Sequence, residues 1–376
     1  MQNKIYSLDA VNGTRYASRD LSAGGEVPFL ATDLPGCYDI TPLIGITGTP
    51  VIDPTTDTIY FWAKSYGSAS QSGSGWQNGI YRFHAIDAVT LQEKPGFPVV
   101  LQGHPGRSIL ANFLACADSC TADNDPARYF TGGNHLQRTG LSIVNGAIYA
   151  GFAAHCDFYN YTGWVVGMSA SGSILTAYAT MGGDGSQPQD GTWNGGGGGG
   201  GVWMGGAAIA SDRSDRIFFT TGNGLKARDN GDNPASGRVH LDTLSEAIVN
   251  LAINPTTKAL TQQDYFEPAA YLAMDQVDVD LGSGGLVLPD TSVFKGKGVS
   301  GIAIACGKNS VCFVVNRDNL GGYKMGSAAG DAVIQAFSPP SKQPKSLCYD
   351  LSLIIKMASL FGRPGLRTRL REDIST

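Results

Sequence analysis

Charge is scarce in this chain: 16% of its 376 residues are Asp, Glu, Lys or Arg, and the formal net charge at pH 7 is −5. Its Lys and Arg gather into no stripe that would track phosphates, which excludes a nucleic-acid surface. No run of about 18 apolar residues occurs, so no membrane-spanning helix is expected. Zinc-type Cys/His spacing is also missing. The seven consecutive glycines at 195–201 are not followed by Lys-Ser or Lys-Thr, which rules out a nucleotide-binding loop. The partners left open are a small molecule, a glycan or another protein, held at a loop face.

Turn formers are abundant, with 51 Gly and 18 Pro. Between them a two-strand phrase is written four times. A short strand of small and branched residues ends in a polar turn, and a strand rich in aromatic and β-branched residues follows. The phrase reads Thr49-Pro50-Val51-Ile52-Asp53 into Thr58-Ile59-Tyr60-Phe61-Trp62, then Gly140-Leu141-Ser142-Ile143-Val144 into Ala147-Ile148-Tyr149-Ala150. It returns as Ala207-Ala208-Ile209-Ala210 into Arg216-Ile217-Phe218-Phe219, and as Gly285-Leu286-Val287-Leu288 followed by the hairpin 299–306 and 311–316. Repeated antiparallel units of this kind imply radial repetition, each four-stranded blade burying both faces against its neighbours. The first strands are expected nearest the axis, where crowding demands small side chains, with the last two copies in neighbouring blades. A second phrase, Ile5-Tyr6-Ser7-Leu8-Asp9 and Arg82-Phe83-His84-Ala85-Ile86-Asp87, runs a strand into an Asp that bonds the backbone two residues on and closes a hairpin.

These two phrases, "YSLDAVNGT" and "FHAIDAVT", resemble the repeats of quinoprotein-like (PQQ-repeat) propellers. "GITGTPVID", "GWVVGMSASG", "IFFTTGNG", "DLGSGG" and "NRDNLGG", in that order, are similar to a subgroup of secreted bacterial and fungal proteins of that type. The resemblance spans about residues 3–337. It implies an all-β, quinoprotein-like β-propeller, eight-bladed in the family. Phrase starts near 47, 140, 205 and 284 leave room for about four blades and fragments of two others, so an incomplete arc with long Gly-rich loops at 65–78 and 182–201 is expected. The glycine run is too permissive to be rigid unless something clamps it, and a mobile loop is expected there.

Residues 1–340 are read as the propeller and 341–376 as a tail outside it. The tail carries seven Lys/Arg against three Asp/Glu and a short apolar stripe; the alternative is a docking helix. The chain opens at Met1-Gln2-Asn3-Lys4 without a leader pattern, so a secreted family member with a missing beginning is expected. Seven cysteines and two sequons, at Asn12 and Asn160, fit an oxidising compartment. Cys306 and Cys312 flank a short turn and are expected as a disulfide with Cα atoms roughly 4.4–6.8 Å apart, and Cys116 with Cys120 is a second candidate pair. An odd count leaves a thiol over, for which Cys348 is the first choice; alternatively Cys306 and Cys312 are buried small residues and the sequons are chance matches.

In the dehydrogenases of this family the resemblance implies pyrroloquinoline quinone above a Ca²⁺ ion, a Trp beneath the quinone and, in many cases, a ring of two adjacent cysteines above it. This chain has no adjacent cysteines. Three polar clusters are candidates for a site. His155, Asp157 and Trp164, with His135 and Arg138 one strand earlier, are placed at a loop mouth, where His155 is a base, a metal ligand or a donor to a loop carbonyl. Asp275, Asp278 and Asp280 precede Gly282, and Asp278 with Asp280 would share a cation or else cap turns. Residues 229–233 echo a Ca²⁺ loop without its terminal Glu and are read as a solvated turn. The function expected is a secreted ligand- or protein-binding scaffold, the alternative being a Ca²⁺- and quinone-dependent oxidoreductase acting on alcohols or sugars.

Overall fold

The structure is a computed structural model that describes residues 2–101, 130–158, 161–181, 198–224, 244–294 and 298–338. Asn160, Cys116, Cys120, Cys348, residues 229–233 and the tail 341–376 lie outside the described residues. Among those described, strands dominate and one short α-helix, Tyr271–Gln276, is present. Among the described residues no helix is long and apolar enough to cross a membrane.

Two small sheets open the chain. Strands β1 (Lys4–Leu8) and β2 (Arg15–Asp20) form one, and β3 (Phe29–Leu30) with β4 (Leu43–Ile44) forms the other. The first blade is β5 (Val51–Asp53), β6 (Thr58–Tyr66), β7 (Gly79–Asp87) and β8 (Val99–Leu101), joined in sequence order and antiparallel throughout. In the second, β9 (His135–Gln137) and β10 (Ser142–Val144) share the inner edge of β11 (Ala147–Ala154), which leads to β12 (Trp164–Ser169) and β13 (Ile174–Ala179). The third is β14 (Ala210–Ser211), β15 (Arg216–Thr220), β16 (Ile248–Ile253) and β17 (Leu260–Glu267). In the fourth, β18 (Leu286–Val287), β19 (Ile302–Cys306) and β20 (Cys312–Asn316) are completed by β22 (Gln335–Phe337), while β21 (Gly322–Tyr323) crosses back to pair in parallel with β17.

The four written phrases are the inner hairpins of these four blades, and their first residues meet. Leu141 N donates to Thr49 O at 3.0 Å, Gly140 N to Ala207 O at 2.8 Å and Thr49 Oγ1 to Gly206 O at 2.8 Å. This is the β-propeller arrangement, with the small first strands at the axis and the third and fourth phrases in adjoining blades. One detail differs: β14 begins at Ala210, because the preceding segment bridges Gly140 of the neighbouring blade, with Ala207 O accepting from Gly140 N, instead of pairing with β15. The Asp turns also form as read, Asp9 Oδ1 accepting from Val11 N at 2.8 Å and Asp87 Oδ1 from Val89 N at 3.1 Å.

Both faces of each inner blade are apolar because both are covered. Trp62, Tyr81, Phe83 and Phe152 fill the seam between the first two blades, with Phe152 edge-on to Trp62, Tyr81 and Phe130 at 5.0–5.5 Å. Each such ring contributes about 2–3 kcal/mol by leaving water. Lys64 and His84 are buried in this region. Lys64 on β6 donates to Gly133 O at 2.6 Å and His135 O at 3.0 Å and lies over the Phe29 ring, and burial holds its ammonium well below the usual lysine range. His84 on β7 stacks on Phe61 and faces Glu26 at 3.2 Å and Glu93 at 3.3 Å, which ties the opening segment to the first blade.

Two disulfides fall among the described residues. Cys306 joins Cys312, with Cα atoms 4.0 Å apart, closer than expected because the two are direct cross-strand partners in β19 and β20. Cys37 joins Cys156 across 119 residues, a pairing that no local spacing announces.

Candidate functional site

The loops at one end of the blades bring Asp157, Asp278 and Asp280 together, with carboxylate oxygens within 4.8 Å of one another. Each arrives from a different piece of backbone. Asp157 ends the tight turn that follows β11, where Cys156 has φ 52° and Asp157 φ 50°. Such left-handed positions cost L-residues about 1–2 kcal/mol each, so the turn must be held. Cys156 is bonded to Cys37, and the Nδ1 of neighbouring His155 sits 3.1 Å from both oxygens of Asp39. The Tyr161 hydroxyl donates to Asp157 from the other side.

Asp278 and Asp280 follow the helix Tyr271–Gln276. Asn223, just beyond β15, links them to Asp157: its Nδ2 donates to Asp278 Oδ1 at 2.8 Å and faces Asp157 Oδ2 at 3.3 Å, while its backbone N donates to Asp280 Oδ1 at 2.8 Å. Glycine is required beside it, because a Cβ on Gly222 would lie 2.4 Å from Asp280 Oδ1 and 3.0 Å from the Trp203 ring. The Trp203 indole is half-buried beside Gly222 and packs on the hydrophobic core. Glu246 completes the floor, its Oε2 accepting from Leu281 N.

Lys308, in the turn between Cys306 and Cys312, reaches Asp278 at 2.7 Å and Asp280 at 2.5 Å. One ammonium is too little for this much negative charge. Burial, and then the charge on Asp280, pushes the Asp157 carboxyl up to about 7. Glu246 is driven well up by burial and by Asp280 and Asp275, and burial raises Asp280 against the pull of Lys308. Asp278 goes the other way: burial works against its charge, but Lys308 and Asn223 outweigh it and hold the carboxyl low. It is also the exposed member of the group, with its side chain 68% accessible. The Oδ1 of Asn223 and the Oε1 of Glu246 are buried acceptors with no hydrogen-bond partner among the described residues. Carboxylates held above their normal range beside unpartnered oxygens make a donor set suited to a hard cation.

The sequence placed these residues in two separate clusters, and the structure makes Asp157, Asp278 and Asp280 one site. The other candidates go elsewhere. His135 is fully buried, with Nδ1 against Thr131 and Nε2 3.1 Å from Thr162 O, and burial lowers it to about 4. His155, also buried and lowered to about 4 by burial and then by the Lys64 charge, is a neutral imidazole spent on Asp39. Arg138 donates to Thr47 O at 3.3 Å, and Trp164 lies in the core between the first two blades. Asn12 is exposed in the β1–β2 turn. Residues 182–197 of the Gly-rich loop lie outside the described residues. At its described end Gly199 N donates to Tyr161 O, Gly200 N to Asn223 O, and Gly163 N to Gly199 O, which ties that end to Tyr161 and Asn223. Asn223, Glu246, Tyr161 and Trp203 were not singled out by sequence, although "TTGNG" carried the amide.

No protein-family model matches the chain, and no curated protein matches it. Among solved structures it is similar to the quinohaemoprotein alcohol dehydrogenase of Comamonas testosteroni, at 16% identity and a TM-score of 0.50 over 89% of this chain and 40% of that one. It is similar to a europium-containing methanol dehydrogenase at 15% identity and a TM-score of 0.50, over 91% of this chain and 50% of that one. The chain thus spans about half or less of the length of these neighbours. At identities this low the likeness shows the fold alone, a β-propeller.

Proposed function

We propose that this chain is the propeller of a secreted, cation-dependent oxidoreductase of the quinoprotein type that acts on alcohols or sugars. The observation that carries this reading is the convergence of Asp157, Asp278 and Asp280 on Asn223, whose buried Oδ1 has no hydrogen-bond partner among the described residues. The Nδ2 of its amide is turned toward two of the carboxylates. Turning it over would set a fourth oxygen among the three acids.

Asp157, Asn223 and Asp280 would hold the ion, either Ca²⁺ or a trivalent ion of similar size such as the one named for the europium-containing neighbour. Trp203 offers the flat face on which a planar quinone would rest. A quinone bound there would supply the two-electron acceptor that no side chain provides. Asp278, ionised at neutral pH and open to solvent, would take the hydroxyl proton of an alcohol. Lys308 keeps it ionised. The two disulfides favour an oxidising compartment.

A second reading, a binding scaffold whose mouth takes a small molecule, glycan or protein, is favoured by the absence of the adjacent cysteine pair from this sequence. Equilibrium dialysis of the purified chain with Ca²⁺ and pyrroloquinoline quinone, followed by dye reduction with primary alcohols and sugars, separates the two. The oxidoreductase reading expects cation uptake, a retained chromophore and dye reduction, all lost in Asp280→Asn. Cation uptake without a retained chromophore supports the scaffold, and no uptake at all overturns the cation site.

A further inference from the structure

Both disulfides among the described residues end at the acidic cluster, on opposite sides of its charge balance. Cys156 is bonded to Cys37 and immediately precedes Asp157, in a turn whose two left-handed residues would not keep that geometry unaided. Asp39, two residues beyond Cys37, grips His155 as well, so the 37–39 segment clasps the turn at adjacent residues. Cys306 is bonded to Cys312 across the turn that carries Lys308. That turn is docked by Lys308 N on Asp280 O at 2.9 Å, and its ammonium occupies Asp278 and Asp280. One crosslink therefore delivers an anionic ligand, and the other delivers a tethered internal cation that competes for the same oxygens.

We propose that the two disulfides tune the cation affinity of this centre in opposite senses: Cys37–Cys156, with Asp39 and His155, raises it by positioning Asp157, and Cys306–Cys312 restrains it by holding Lys308 against Asp278 and Asp280. The inference rests on the cation-site reading. Its physical core is that freeing an anion from a charged cluster weakens cation binding, whereas freeing a cation strengthens it. Loss of a crosslink as a mere structural support would act in one direction only.

Tb³⁺ titration at about pH 8 of the full chain, with luminescence sensitised through Trp203, reads the affinity directly. Relative to the unaltered protein, Cys37→Ser/Cys156→Ser is expected to weaken binding roughly tenfold, and Lys308→Met to strengthen it roughly tenfold. Cys306→Ser/Cys312→Ser should strengthen it by a smaller factor, since the hairpin hydrogen bonds remain. Asp39→Asn, which leaves both crosslinks in place, should weaken binding and covers the case in which the first double variant does not fold. Both disulfide variants moving in the same direction, or Lys308→Met leaving affinity unchanged or lower, overturns the inference while the site stands. Failure of the unaltered chain to bind Tb³⁺ overturns the site and this inference together.

Discussion

Cation binding to the cluster should be coupled to proton release, and the size of the coupling follows from Asp157. Burial and the neighbouring Asp280 charge push its carboxyl up to about 7. A ligand oxygen must be deprotonated to bind, so the cation competes with a proton. The sign is fixed by this competition: affinity rises with pH and levels off above the pKa. With one such group, binding at pH 6 should be about tenfold weaker than on the plateau, and at pH 5 about a hundredfold weaker, each pH unit corresponding to about 1.4 kcal/mol. Glu246 and Asp280 are raised as well and can only steepen the dependence. Isothermal titration with Ca²⁺ in two buffers of different ionisation enthalpy, at pH 6 and pH 8.5, counts the protons. About one or more proton should leave per ion at pH 6 and clearly fewer at pH 8.5, and Asp157→Asn should flatten the profile while lowering plateau affinity. Equal affinities at the two pH values, or no proton released at pH 6, would refute the claim that these acids are held protonated by their own crowding.

Two further outcomes concern the scaffold. His84 is buried, which alone would lower its pKa, yet Glu26 and Glu93 outweigh that and raise it; its stabilising contribution is complete below about pH 6.5 and fades as pH rises through the higher folded value. The stability gap between the unaltered chain and His84→Gln in urea should therefore shrink from pH 5.5 to pH 9, and a gap that widens contradicts the assignment. A Cβ at Gly133 would lie 1.6 Å from Trp76 O, backbone that cannot step aside, so Gly133→Ala should lose about 3 kcal/mol in denaturant unfolding. Gly24→Ala, with open space around it, should stay within about 0.5 kcal/mol.

What the amino-acid order determined by itself is local in origin. Alternation of branched and aromatic residues with turn formers specified the hairpins. Four copies of one phrase specified radial repetition, because a strand apolar on both faces needs a neighbour on each side. The Asp9 and Asp87 turns and the Cys306–Cys312 pair were legible for the same reason: each partner lies within a few residues along the chain. The site was legible only in fragments. Asp157 was read with His155, and Asp278 with Asp280, because adjacency in sequence is the one proximity a sequence displays. The propeller axis decided that Asp157 from the second blade, Asn223 from the third and the 278–280 segment leading into the fourth converge, and that His155 turns away to Asp39. Cys37 and Cys156, 119 residues apart, became partners for the same reason. The glycine run, flexible by composition, is tied at its described end by hydrogen bonds that Gly199 N and Gly200 N donate to the carbonyls of Tyr161 and Asn223, which exist only once the second and third blades have met. Burial, which raises Asp157, Glu246 and Asp280, is a property of that closure and of no single segment.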